Sequence, residues 1–141
     1  MYDLSAKLPI FSTVIAVLGG ISGELLGGID GLLKALVIFV VIDYITGIMC
    51  AFNDRTLNSE IGFRGIFKKV LIFLLIIVAN VIDNEILGGA DIARAATICF
   101  YASNESISIL ENAAKLGMPI PKKLRGLLEQ LNREEKDNER T

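Results

Sequence analysis

The sequence has no histidine and no tryptophan, and only two cysteines among its 141 residues. Without histidine, Ser-His-Asp chemistry, Cys-His nucleophiles and histidine-ligated metals are excluded together. No nucleophile and base pair or metal-ligand set stands at usable spacing, so neither an enzyme nor a cofactor is expected. Cys50 and Cys99 lie far apart in apolar stretches, without CxxC spacing, and read as small packing residues. Charge is also scarce. Charged residues make up 21% of the chain, against about a quarter in soluble domains. The net charge of −2 is too small to imply a nucleic-acid partner.

What the chain has instead is apolar residues, 52% of the total, with a mean hydropathy of +0.56. They are clustered in long runs with few charges rather than broken into the short periods of a soluble core. The expected solvent is a bilayer, whose hydrocarbon takes about 20 apolar residues to cross. Four stretches approach that length, over about residues 8–28, 32–52, 66–86 and 92–112. The fold class expected is therefore an all-α integral membrane protein, with a transmembrane domain over residues 1–121. If the first stretch only lies in the interface, three crossings remain. The MYDLSAK start and the glycines that end the first run fit a cleaved signal peptide poorly, so that segment is expected to be retained.

Charges between the runs set an orientation. The central connection carries Arg55, Arg64, Lys68 and Lys69 against Asp54 and Glu60, and Lys122, Lys123 and Arg125 follow the fourth run. The other two connections are acidic, with Glu24 and Asp30 in one and Asp83, Glu85 and Asp91 in the other. Basic short loops stay cytoplasmic, so the central loop and the C-terminus are expected inside. Four crossings place the N-terminus inside as well.

Small and polar residues within the runs carry the functional signal. Gly19, Gly23, Gly27 and Gly31 recur every four residues, with Gly20 and Gly28 in a second row. On a helix they would form a flat packing ridge for self-association; alternatively they mark a loop between two spans. Asp43 falls at the middle of the second run, with Thr46, Gly47 and Cys50 on the same helical face. In the fourth run Arg94, Thr97, Tyr101, Asn104, Glu105 and Ser108 follow a three-and-four rhythm that continues to Glu111 and Asn112. Asn80 and Asp83 add a patch at the outer end of the third. An intramembrane acid costs about 2.5 to 3.5 kcal/mol on insertion scales, so these groups must face protein or water. The stripes either close on one another inside a bundle, through pairs such as Arg94 with Asp83 or Asp91, or line water in an assembly. Asp43 and Glu105 have no cation on their own helices; Lys68, Lys69 or Arg64 could reach them.

Beyond the fourth run, Gly117 suits a helix C-cap and Pro119 and Pro121 stop its continuation. Leu124, Leu127, Leu128 and Leu131 then recur at helical spacing among Lys122, Lys123 and Arg125. Residues 122–141 thus read as a short amphipathic cytoplasmic helix with a charged disordered tail. The helix would lie on the anionic inner leaflet or pair with copies of itself, unless it is simply solvated.

The order of motifs resembles the small phage holins that include the toxin-secretion holins of clostridia. The residues that carry it are Asp43-Tyr44-Ile45-Thr46-Gly47, Gly65-Ile66-Phe67-Lys68-Lys69 and Val81-Ile82-Asp83, then the run from Tyr101 through Asn104-Glu105-Ser106-Ile107-Ser108 to Glu111-Asn112, and Gly117-Met118-Pro119-Ile120-Pro121. The match covers roughly residues 36–131 and leaves out the glycine-rich first segment. It implies a homo-oligomer in the bacterial cytoplasmic membrane that opens lesions. These would collapse the membrane potential and release an endolysin or toxin without a required direct contact. The residues themselves leave two other classes open: a small oligomeric ion channel or transporter using Asp43 and Glu105, and a non-conducting membrane adaptor.

Overall fold

Asp30 starts the first long helix. Its side chain accepts from the Leu33 N–H at 2.9 Å, satisfying one of the N–H groups that a helix start leaves unpaired. In the computed structural model the described residues are 19–20, 23–124 and 126. They form three long helices: α1 (Gly31–Asn53), α2 (Ser59–Glu85) and α3 (Ile92–Lys115). Among the described residues the fold is all-helical. The helices coincide with the second to fourth apolar runs, although α2 begins seven residues ahead of its run, at Ser59. α3 packs against both other helices, while α1 and α2 meet only weakly.

Each helix buries a stripe with alternating steps of three and four. On α1 the stripe holds Leu33, Leu36, Val40, Asp43 and Cys50, and on α3 it holds Arg94, Ile98, Glu105 and Asn112. The middle of the bundle is apolar: Leu33, Leu36, Val40, Ile72, Ile76 and Ile98, with Leu26, Phe73, Tyr101 and Ala102 against them. Polar clusters lie above and below this layer. The outside is the reverse, with Ile38, Val41, Ile45, Leu71, Leu74 and Val78 exposed along α1 and α2. A water-soluble protein rarely presents so continuous an apolar surface. α1 and residues 62–85 of α2 are long and apolar enough to cross a membrane; α3 has the length, 24 residues, but its polar stripe lowers its hydropathy.

Before α1, residues 23–25 are helical and the helix then stops. Gly28 N–H donates to the Gly23 carbonyl at 2.7 Å and Gly27 N–H to the Glu24 carbonyl at 3.0 Å, with φ of +79° at Gly27 and +96° at Gly28. This paired closure is a Schellman motif, which ends a helix on a left-handed residue. The continuous ridge through Gly19, Gly23, Gly27 and Gly31 is therefore not formed; Gly27 and Gly28 turn the chain and Gly31 belongs to the next helix. Gly19, Gly20 and Gly23 are helical. Most of the first expected span, residues 8–18 and 21–22, lies outside the described residues. At the other end Gly117, at φ +86°, closes α3 in the same way, its N–H bonded to Ala114 and that of Met118 to Ala113. Lys122, Lys123 and Leu124 are helical; Arg125, Leu127, Leu128 and Leu131 lie outside the described residues.

Arg94 ties this turn to the bundle. Its guanidinium donates to the carbonyls of Leu26 at 2.5 Å and Gly28 at 2.9 Å and to Asp30 Oδ2 at 2.6 Å, with Asp91 at 3.5 Å. Asn80 Nδ2 donates to the Leu25 carbonyl at 2.9 Å. These carbonyls, left without intrahelical partners where the helix stops, are thus satisfied by side chains from α2 and α3. Arg94 pairs with Asp30 and Asp91 rather than with the Asp83 carboxylate. Asp83 instead accepts the backbone N–H groups of Ile92, Ala93 and Arg94 at 2.7 to 3.1 Å, capping α3 from α2. Asp91 precedes α3 at φ +53° and gives it no side-chain cap.

Gly27 makes the nest possible, since a Cβ there would sit 2.5 Å from Asn80 Oδ1 and 2.6 Å from Arg94 Nε. Gly27→Ala should destabilise by about 1–3 kcal/mol from backbone strain alone, and by more through displacement of Arg94. Gly28→Ala, with open space around it, should carry the strain term only. Thermal unfolding in detergent should therefore rank Gly27→Ala below Gly28→Ala. The Asp30 carboxyl is held below its ordinary value of 3.8 by its hydrogen bond to Arg94 and then by the Leu33 N–H. Its contribution is complete above that ordinary value and is lost as pH falls through the lowered one. Asp30→Asn should therefore reduce the loss of unfolding temperature on acidification below about pH 4.

Candidate functional site

Below the apolar layer, at the end of the bundle nearer the 54–58 connection, all three helices contribute a charge to one cluster. Asp43 of α1, Lys69 of α2 and Glu105 of α3 each lie ten residues from the Asn53, Ser59 and Lys115 ends of their helices. At 1.5 Å per residue that is about 15 Å of helix. The alternating stripe brings them to one level, because 43, 69 and 105 continue the same inward faces as Val40, Ile72 and Ile98.

Lys69 Nζ donates to Asp43 Oδ2 at 2.5 Å and, at closer range, to Glu105 Oε2. The three side chains are between 8% and 17% exposed, too little for water to screen them fully. Asn112, two helical turns beyond Glu105, donates to Asp43 Oδ1 at 3.3 Å and to Thr46 Oγ1 at 3.1 Å. Thr46 returns its hydroxyl to the Asp43 carbonyl at 3.0 Å, and Cys50 Sγ donates to the Asn112 carbonyl at 3.3 Å. Next to this cluster, the Tyr44 ring lies in ordinary contact range of Gly65 and its hydroxyl near Gly62, so α1 and α2 approach where α2 has no side chains to separate them.

The cluster is a closed hydrogen-bonded unit. Among the described residues no buried side-chain nitrogen or oxygen lacks a partner. With every group ionised it carries two negative charges and one positive. Arranged this way it cross-links three helices and keeps its charged side chains largely out of contact with the surroundings. Should the helices separate, the same groups become a hydrophilic surface. No group of three or more acidic, cysteine or histidine side chains among the described residues forms a metal-binding set.

Asp43, Thr46 and Glu105 are brought together here, whereas Asn80, Asp83 and Arg94 form the cluster at the opposite end. Thr97 spends its hydroxyl on the Ala93 carbonyl of its own helix, at 2.7 Å. Tyr101 is half-buried against the apolar layer, edge-to-face with Phe100 at 5.1 Å, and Ser108 is half-buried. Asn104 does not join the stripe: it is exposed, because it lies 100° around the helix from buried Glu105. Lys69 is the cation that the two acids lacked on their own helices; eleven and fourteen residues before Asn80 and Asp83, it lies on their face of α2, and Lys68 is turned away from it. Asn112 was legible as Glu105 plus seven residues. Cys50, expected to be a packing residue, lies on the face its position seven residues after Asp43 gives it, and there it also donates to the Asn112 carbonyl.

Comparison with known proteins follows this geometry. Residues 20–133 match the model of the bacteriophage holin family. An uncharacterized protein of Listeria monocytogenes is 46% identical over 110 residues, 78% of each chain. An uncharacterized 14.9 kDa protein of Clostridium perfringens is 42% identical over 118 residues, 84% of this chain and 89% of that one. A protein of Bacillus phage phi105 named "Probable holin" is 39% identical over 89 residues, 63% of this chain and 65% of its own. No solved structure matches the chain.

Breaking a buried ion pair from one side is worse than removing it whole, because the remaining charge is stranded. Lys69→Met should cost about 3–5 kcal/mol. Adding Asp43→Asn and Glu105→Gln to Lys69→Met should recover most of it, as read by thermal unfolding in detergent.

Proposed function

The chain belongs to the bacteriophage holin family, and from that premise we propose that it acts as a holin, assembling in the bacterial cytoplasmic membrane into lesions that let a cell-wall hydrolase or toxin out. The observation that carries this reading is the inside-out distribution of polarity. Apolar side chains coat α1 and α2, while Asp43, Lys69, Glu105 and Asn112 are held inward and hydrogen-bonded to one another.

In this mechanism all three helices cross the bilayer, with the 54–58 connection, the basic start of α2 at Arg64, Lys68 and Lys69, and the C-terminus on the inner side. α3 is the least apolar of the three and is carried across by its neighbours. Hydrogen bonds between Glu105 and Lys69, and from Asn112 to Asp43 and Thr46, occupy its polar stripe while the protein is dispersed. When copies associate, α3 can exchange those partners for water, since each group of the stripe is one that water solvates well. The exchange is close to balanced: a buried ion pair gains little net stability over solvated charges. A modest gain from copy–copy contacts is then enough to tip it. Lesion growth would collapse the potential first and pass folded protein once wide enough. The lipid bilayer and further copies of the chain are the only direct partners this requires, and an endolysin or toxin needs no contact with it.

Induced expression in bacteria that contain a cytoplasmic reporter enzyme should depolarise the membrane and release the reporter. Depolarisation without release supports a narrow channel instead, and an intact potential supports an adaptor. Asp43→Leu should insert well and shift the time of onset; an onset indistinguishable from the parent would remove the ion cluster from the mechanism.

A further inference from the structure

The outward face of α3 differs from those of its neighbours. Between Ile92 and Lys115 the exposed large hydrophobic side chains are Ile92 and Phe100 alone. The rest of that exposed face is Ala96, Cys99, Ser103 and Asn104. Ser103 satisfies its hydroxyl on the Cys99 carbonyl at 2.8 Å. Asn104 has no hydrogen-bond partner among the described residues, and it stands one residue from Glu105, eleven residues or about 16 Å from the Lys115 end of the helix.

An amide at that depth cannot face hydrocarbon unbonded without a cost of several kcal/mol. It points away from its own bundle. The apolar outer faces of α1 and α2 offer a second copy's amide nothing to bond. Lys68 is the other exposed polar side chain near this level, but it supplies donors only and would leave the amide N–H groups unmet. A second Asn104 supplies both an acceptor and donors. Copies inserted in the same direction are related by a two-fold axis along the membrane normal, which puts identical residues opposite each other. The small side chains of Ala96 and Ser103 on the same face allow the two helices to approach closely enough for the amides to meet.

We infer that the outward face of α3 is a self-association surface, on which Asn104 of one copy hydrogen-bonds Asn104 of a second. This rests on the reading above that α3 crosses the bilayer, and it names the contact through which copies first join. It also gives that contact a place in the mechanism. The joining helix is the one that carries the polar stripe, so pulling α3 toward a neighbour's α3 draws Glu105 and Asn112 away from Lys69 and Asp43.

The test uses the full chain in bacterial membranes, with Cys99→Ala and the buried Cys50 retained. Ser103→Cys in that background should form disulfide-linked dimers on mild oxidation, whereas Val41→Cys on the lipid-facing side of α1 should form few. Adding Asn104→Leu, which favours insertion, should weaken association about 5- to 30-fold, the range for one interhelical polar contact in model peptides, and Asn104→Gln should preserve it. Equal cross-linking at residues 103 and 41, or Ser103→Cys dimers indifferent to Asn104→Leu, overturns the inference. Reporter release in the same cells separates the two claims. Release by the parent chain without a residue-103 cross-link defeats this contact and leaves the holin reading standing. Cross-linked dimers with neither depolarisation nor release defeat the holin reading and leave the contact in place.

Discussion

A lysine ammonium held between two carboxylates, with little water to screen it, is the interaction on which the rest of this structure depends. Lys69 meets Asp43 and Glu105 from different helices, so the three cannot be satisfied unless α1, α2 and α3 stand together in one register. In a membrane no hydrophobic force between helices does that work, because lipid tails are as apolar as leucine. The apolar layer of Leu36, Ile76 and Ile98 gains packing but little else from assembly there. The register is set by the polar groups above and below it.

The upper group is built differently from the lower one. Around Arg94 stand two backbone carbonyls at a helix end and the exposed carboxylates of Asp30 and Asp91, and Asp83 is occupied as the cap of α3. That end is a structural tie, made of groups that would be unsatisfied anywhere else. Around Lys69 the partners are side chains on the other two helices, and each could be solvated equally well by water. The upper cluster holds the turn before α1 in place; the lower one is the part of the bundle that can be exchanged. In the proposed holin mechanism, that exchange accompanies the association of copies.

The family elements were legible in the sequence because they are short and ordered, and the structure gives most of them a common reason. Asp43, Thr46 and Gly47 from the first element, Lys69 from the second, and Glu105 and Asn112 from the long fourth one converge on a single cluster. Asn104 stands among those same residues in sequence but points the other way, since the neighbour of a buried residue on a helix is turned by 100°. A polar stripe read by eye is wider than the face that packs.

By itself, the sequence determined the solvent, the helical class, the limits of α1 and α3 to within three residues and the need of Asp43 and Glu105 for a partner, because hydrophobic runs, charge placement and helical period are local quantities. Which lysine answers them depends on which helix faces rotate inward, and that is decided by three helices packing at once. The glycine pattern was equally ambiguous: four-residue spacing suits a packing ridge and a chain turn alike. Only the tertiary structure resolves it, because the left-handed backbone at Gly27 is chosen so that the Arg94 guanidinium and the Asn80 amide can fill the space where a side chain would be.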